Sequence, residues 1–110
     1  QEHLGDLEGL SFMPLHENER ANCWLSVIQL APDCKVRPLD VMVALEQGDI
    51  ESRPVWKPMH MQPVFADCDY IDNGKVGESL FENGVCLPSD TKMTDEDLKR
   101  ICTIIRGLWK

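Results

Sequence analysis

The sequence predicts a small α+β domain in which helices pack on one sheet. Three observations point there. Candidate strands and helices mostly alternate along the chain, and the strands are short. The length, 110 residues, suits one core and one domain. The composition, 43% hydrophobic and 27% charged, is that of a folded domain rather than a disordered chain.

The elements follow in order. Residues 1–5 (QEHLG) read as the last turn of a helix closed by glycine, most of it upstream of residue 1. The beginning looks cut, as in a domain taken from a longer protein. Residues 10–13 before Pro14 can form a short strand, and residues 16–20 a polar loop. Residues 22–30 (NCWLSVIQL) are the best strand candidate; apolar residues on both faces suit a central strand covered on both sides. Residues 38–47 read as a helix with proline in the first turn, a stripe of Leu39, Val41, Met42 and Leu45, and Gly48 to close it.

Residues 50–56 are a second strand candidate, which Pro54 demotes at its far end to an edge. Residues 57–65 are irregular, and residues 67–74 are turn-rich. A short helix over 76–83 ends at Asn83-Gly84, and a buried strand over 85–87 stops at Pro88. The last helix is the clearest. Thr94 and Asp97 make a capping box, apolar residues recur from Leu98 to Trp109 at helical spacing, and acids crowd its start.

Charge and cysteine usage exclude several classes. A net charge of −8 argues against nucleic acid or an anionic membrane surface as partner. No apolar run approaches the ~20 residues that span a bilayer, and no basic-then-apolar leader is visible. The five cysteines sit singly, and Cys23, Cys86 and Cys102 lie in apolar-periodic segments. This reads as free, core-packed thiols in a reducing compartment, not as a disulfide framework or a zinc site.

Most short motifs fail on inspection. Asp67, Asp69 and Glu78 have the outline of a calcium loop, but Ile71 and Asp72 fall where a ligand and a glycine are required. A solvated turn is the simpler reading. His3, His16 and His60 share no metal-binding spacing, and His3 and His16 read as surface residues. Pairing of His60 with Cys68 or Cys86 as a nucleophile has no activating context in the sequence. Residues 53–65 differ. They carry Val55, Trp56, Met59, Met61, Val64 and Phe65 in a proline-stiffened loop, together with Arg53, Lys57 and His60. Such a loop either covers its own core or forms the wall of a site for a carboxylate or phosphate ligand.

The same loop carries a resemblance. SRPVWKPMHMQPVF (residues 52–65) resembles the signature near the C-terminus of the DegT–DnrJ–StrS family of pyridoxal-phosphate-dependent sugar aminotransferases. LFENGVCLPS (80–89) and MTDEDL (93–98) follow at the family's spacing, and NCWL (22–25) resembles the strand that opens its small domain. The resemblance covers essentially the whole chain. It implies that residues 1–110 are one C-terminal small domain with a short, mostly antiparallel sheet, as in fold-type-I enzymes, and that the large domain holding pyridoxal phosphate is absent.

The implied reaction moves an amino group from L-glutamate to a keto nucleotide sugar, with the WKPMH form resembling members that act on UDP-linked 4-keto sugars. The implied setting is a cytoplasmic homodimer with active sites at the subunit interface, serving surface-glycan or related amino-sugar synthesis. Implied partners are the chain's own large domain, a second subunit, the nucleotide sugar and L-glutamate. None of the lysines at 35, 57, 75, 92, 99 and 110 lies in the family's cofactor-lysine motif. No catalytic, cofactor-binding or metal-binding residue is therefore expected here. The substrate-binding candidates that carry over are Arg53, Trp56, Lys57 and His60. Arg53 and Lys57 would meet carboxylate or phosphate, His60 the sugar, and Trp56 would shape the pocket. Pairing of Arg53 with a core acid and burial of Trp56 in the core are the alternatives. Gly84 and Pro88 read as turn formers. A stand-alone binding module that kept the fold without the chemistry is the other reading of the chain.

Overall fold

A computed structural model describes residues 2–110. Gln1, and with it the opening of the expected helical turn, lies outside the described residues. Residues 2–6 form turns in which Leu4 is buried and its carbonyl accepts from the Leu7 N–H. A four-stranded antiparallel sheet follows, built from β1 (Leu10–Phe12), β2 (Ser26–Leu30), β3 (Arg53–Pro54) and β4 (Gly84–Leu87). Its order is β1-β2-β4-β3. The helices are α1 (Pro38–Glu46), α2 (Val76–Asn83) and α3 (Asp95–Gly107). The α+β class and the short antiparallel sheet are as the sequence predicts.

The strand period assigns the two faces. Leu10 pairs with Leu30, while Phe12 and Val85 flank Ile28 on either side. Ile28, Leu30 and Val85 join Val41 and Leu45 of α1 and Ile101 and Ile105 of α3 in one core. Full burial of a side chain of this size contributes roughly 1.5–3 kcal/mol, so this layer dominates stability. The residues of opposite parity, Gln29 and Gly84, face α2, where the Gln29 amide donates to the Leu80 carbonyl at 3.3 Å. β2 is therefore a central strand covered on both faces, as its apolar pattern requires.

Several boundaries differ from the sequence expectation for local reasons. The strand expected over 22–30 begins only at Ser26. Cys23 takes a left-handed backbone (φ 52°), and the Asn22 side chain accepts from the Trp24 N–H at 3.1 Å. That turn leaves Cys23 exposed rather than core-packed; Cys86 and Cys102 are buried as expected. The strand expected over 50–56 shrinks to two residues at the sheet edge, because Pro54 has no N–H to donate. After α1 it is Asp49, not Gly48, that turns left-handed (φ 56°).

Gly84 is not a turn former. Its backbone is extended (φ −105°, ψ 150°) and it opens β4 directly after α2. A Cβ there would come within 2.5 Å of the Leu80 carbonyl oxygen and Val55 Cγ2, and closer still to the Gln29 amide nitrogen. Beside it the buried Asn83 is fully engaged. The Arg37 guanidinium donates to its Oδ1 at 2.9 Å, and its own amide donates to the Ser79 carbonyl at 2.9 Å. This network joins the start of α1 to the end of α2.

The termini meet through α3. Thr94 caps the helix: its hydroxyl accepts from the Asp97 N–H at 3.2 Å, and the Asp97 carboxylate accepts from the Thr94 N–H at 2.9 Å. At the other end Arg106 makes a forked pair with Asp6, both bonds 2.7 Å, and the Trp109 indole donates to the Glu8 carbonyl at 2.8 Å. The guanidinium holds the Asp6 carboxyl down at about 2, against an ordinary 3.8.

Two outcomes are expected. Gly84→Ala inserts a methyl group against backbone and costs about 1–3 kcal/mol of stability, read from urea denaturation. Asp6 releases its proton more readily folded than unfolded, so its pairing stabilises above pH 3.8 and is lost as pH falls toward about 2. Asp97, lowered by its Thr94 hydrogen bonds, adds in the same direction. Asp6→Asn should flatten the acid-side fall of the melting temperature, and an unchanged pH profile would contradict the pairing.

Candidate functional site

A cavity of about 660 Å³ opens where β3 leaves the edge of the sheet. Its location follows from local sequence. Pro54 ends the ladder, and the chain then runs irregularly to two 3-10 turns, Met59–Met61 and Pro63–Phe65, each entered beside a proline. This loop lines one part of the cavity, and Phe81 of α2, Cys86 of β4, the Leu87–Asp90 exit and Leu25 before β2 line much of the rest.

Arg53, Trp56 and Lys57 all line the cavity. Arg53 is exposed, and its guanidinium donates from Nε to Glu51 Oε1 at 2.7 Å. It thus pairs with a surface acid, not a core one. Such a pair is screened by water and yields readily to a better-placed anion. Trp56 is 65% exposed, so it is not core. It leans on Trp24, ring centroids 5.9 Å apart at 34°, a tilted aromatic pair that stiffens the wall. The Lys57 side chain is exposed, and its carbonyl accepts from the Gln62 amide at 3.1 Å, which fixes the loop.

His60 stands apart from this lining. Its Nε2 lies 3.0 Å from Glu78 Oε1, and its ring stacks on Tyr70 at 3.7 Å and 14°. The two side chains are 18% and 25% exposed. Its hydrogen-bond partner is thus a carboxylate. Cys86, the buried thiol of the alternative nucleophile pair, has its pKa pushed up by burial, which works against a thiolate.

Sequence reasoning missed the residues that hold the site in shape. Ser89 is the clearest: its hydroxyl accepts from the Ser26 N–H at 2.7 Å and donates to the Leu87 carbonyl at 3.0 Å. It fixes the rim of the cavity to the start of β2. Glu51, Glu78, Tyr70 and Trp24 were also missed as site residues. Glu78 had a signal only as the last position of a failed calcium pattern. Trp24 had one only as part of the NCWL segment that resembles the family's small-domain strand.

The loop also carries exposed apolar surface. Met59 and Val64 are exposed with Trp56, and Met13, Leu15 and Trp24 add to the uncovered apolar set. The loop does not cover the chain's own core.

Across residues 1–106 the sequence matches the DegT/DnrJ/EryC1/StrS aminotransferase family. The chain belongs to that family. It is 38% identical over 109 residues to the "Putative pyridoxal phosphate-dependent aminotransferase EpsN" of Bacillus subtilis (strain 168), covering 96% of this chain and 28% of the relative. It is 29% identical over 103 residues to the GDP-perosamine synthase of Vibrio cholerae, covering 89% of this chain and 28% of that protein. The DegT DnrJ EryC1 StrS aminotransferase from Brucella abortus superposes with a TM-score of 0.81 at 23% identity, over 98% of this chain and 28% of that one. That likeness shows a shared fold. The chain spans about 28% of the length of the curated relatives it matches.

Pyridoxal phosphate, named with the Bacillus relative, can be tested against the residues of this aminotransferase-family chain. A cofactor lysine needs an enclosed site, a phosphate cradle and a lowered pKa. All six lysines here are exposed. Lys57 lines the cavity with an exposed side chain, and no glycine-rich turn stands beside it. The described residues do not fit the cofactor, and the chemistry they can perform is recognition of anionic and polar groups.

Ser89→Ala removes the hydroxyl that joins β2 to the cavity rim. The expected loss is about 1 kcal/mol of stability, the worth of a typical hydrogen bond, measured by denaturant titration. A variant as stable as the parent would mean that water replaces the hydroxyl at no cost.

Proposed function

We propose that this chain is the C-terminal small domain of a pyridoxal-phosphate-dependent enzyme that transfers an amino group from L-glutamate to a keto nucleotide sugar. The observation that carries this reading is the cavity at the β3 edge, where Arg53, Lys57 and Trp56 converge in a member of an aminotransferase family. The name of the Vibrio relative, a GDP-perosamine synthase, supports a nucleotide sugar as the substrate class. The resemblance of WKPMH favours a UDP-linked 4-keto sugar, and synthesis of surface glycans or related amino sugars as its use.

In this reading each residue has a physical task. The Arg53 fork exchanges Glu51 for the donor carboxylate or a phosphate, a charge-assisted contact that fixes orientation as well as affinity. Lys57 adds a mobile point charge for the same anions. Trp56, backed by Trp24, gives the substrate a flat apolar wall and keeps water off that side. His60, which lies outside this lining, meets a part of the sugar beyond the cavity. The cofactor, held by a large N-terminal domain, supplies the electron sink. The exposed apolar residues of the loop then become the surface that meets the large domain and a second subunit of a homodimer. Among the described residues no helix is long and apolar enough to cross a membrane. The cytoplasm is the location that the family resemblance favours.

The test is amino transfer by the protein that joins a cofactor-binding large domain to this chain, with L-glutamate and a UDP-4-keto sugar. Arg53→Ala or His60→Ala should lower kcat/KM for glutamate or the sugar by roughly one to two orders of magnitude, the loss of a charge-assisted contact worth ~1.5–3 kcal/mol. Wild-type kinetics in both variants would remove these residues from the site. The chain alone should neither transaminate nor, after borohydride reduction with the cofactor, carry one stoichiometrically modified lysine. A single such lysine, with transfer, would place the chemistry within these residues.

A further inference from the structure

The hydrogen-bonded pair made by His60 and Glu78 is the most enclosed polar side-chain contact of the signature loop, and nothing in the reading above uses Glu78. His60 sits in the 3-10 turn Met59–Met61, two residues beyond the start of α2's contact with the loop at Pro58. Pro58 lies against Gly77 of α2, where a side-chain Cβ would stand 3.5 Å from its ring. One turn of chain therefore rests on the beginning of α2, and His60 reaches Glu78 from it. Tyr70, from the turn-rich segment before α2, closes one face of the imidazole. Among the described residues, the titratable groups recorded in contact with the His60 ring are Glu78 and Tyr70.

An ionised carboxylate only accepts hydrogen bonds. With Glu78 Oε1 at 3.0 Å, His60 Nε2 must carry the proton. In the neutral ring, Nδ1 is then an unprotonated acceptor, and it makes no hydrogen bond among the described residues. We propose that Glu78 is a positioning residue that fixes His60 as the Nε2–H tautomer, with Tyr70 holding the ring plane, so that Nδ1 is presented to a hydroxyl group of the sugar. This rests on the reading that His60 meets the nucleotide sugar. Glu78 touches no substrate; it decides which hydrogen bond His60 can offer. An imidazole without such a partner exchanges its two tautomers and presents an acceptor at Nδ1 only part of the time.

The experiment is nitrogen-15 NMR of the histidine rings in this chain on the basic side of neutrality, with His60 assigned by its loss in His60→Gln. The expected result is a Nε2–H to Nδ1–H ratio at His60 of about tenfold or more, the bias one charge-assisted hydrogen bond sustains. Glu78→Gln keeps the shape but offers both a donor and an acceptor, and should let the ratio fall to the modest Nε2–H preference of an unpartnered histidine side chain. A wild-type ring in mixed tautomers, or one protonated at Nδ1, overturns the proposal without any variant. Retention of the bias in Glu78→Gln overturns the role of Glu78.

In the full-length enzyme, Glu78→Gln should raise KM for the sugar roughly three- to tenfold with KM for glutamate unchanged, as loss of one neutral hydrogen bond predicts. Relaxed tautomers with an unchanged sugar KM would overturn the link to the sugar. Absence of amino transfer by the wild-type enzyme would count against the proposed function and overturn that same link, while the tautomer ratio still decides the positioning.

Discussion

How closely the end of α2 can approach the sheet sets most of what this molecule presents to a ligand. The helix passes into β4 with no intervening loop, and Gly84 is the residue at the junction. Its missing side chain is the space into which the Leu80 carbonyl, the Gln29 amide and Val55 fit. Because the approach is close, Asn83 is buried and must be satisfied, which Arg37 and Ser79 do. Because α2 is held there, Phe81 and Cys86 line one side of the cavity and Glu78 meets His60 across from the loop. A glycine selected by steric contact thus fixes both the helix and the loop that rests on it.

The charge distribution separates stability from recognition. The chain is acidic overall, at −8, and its resolved acid shifts belong to structure: Asp6 is held by Arg106 and Asp97 by the cap of α3. The cations at the cavity are different. Arg53 has only an exposed acid as partner, and Lys57 makes no ion pair among the described residues. Two cations left in a water-screened setting on an acidic chain are suited to exchange partners with an anionic ligand. The buried thiols are poorly suited to act as nucleophiles, since burial pushes the pKa of Cys86 and Cys102 up.

Much of the architecture was legible in the sequence. The Thr94–Asp97 box and the apolar stripe behind it located α3, proline and an apolar stripe located α1, and two-faced hydrophobicity made β2 central. These signals are local: a cap, a period, a missing N–H. The boundaries that failed were those decided by neighbours. Nothing in NCWL announces the left-handed Cys23 that delays β2, and Gly84 was readable as a helix stop only while the contacts around it were unknown.

The sequence by itself determined the fold class, the order of the elements, the family, and a loop whose cations and apolar residues had to serve something other than regular structure. Tertiary structure decided which of those residues stay together and which are carried to a different neighbour. Arg53, Trp56 and Lys57 come together because they are near neighbours on one irregular strand exit, so their spacing already linked them. His60 departs from them because the 3-10 turn swings it to α2, where its partner Glu78 is 18 residues away. Ser89 reaches Ser26 across 63 residues, and Arg106 reaches Asp6 across 100. Side-chain periodicity reports which face a residue takes within one element, and it carries no information about the distance between elements. That distance is set by packing, here by a glycine against a helix end.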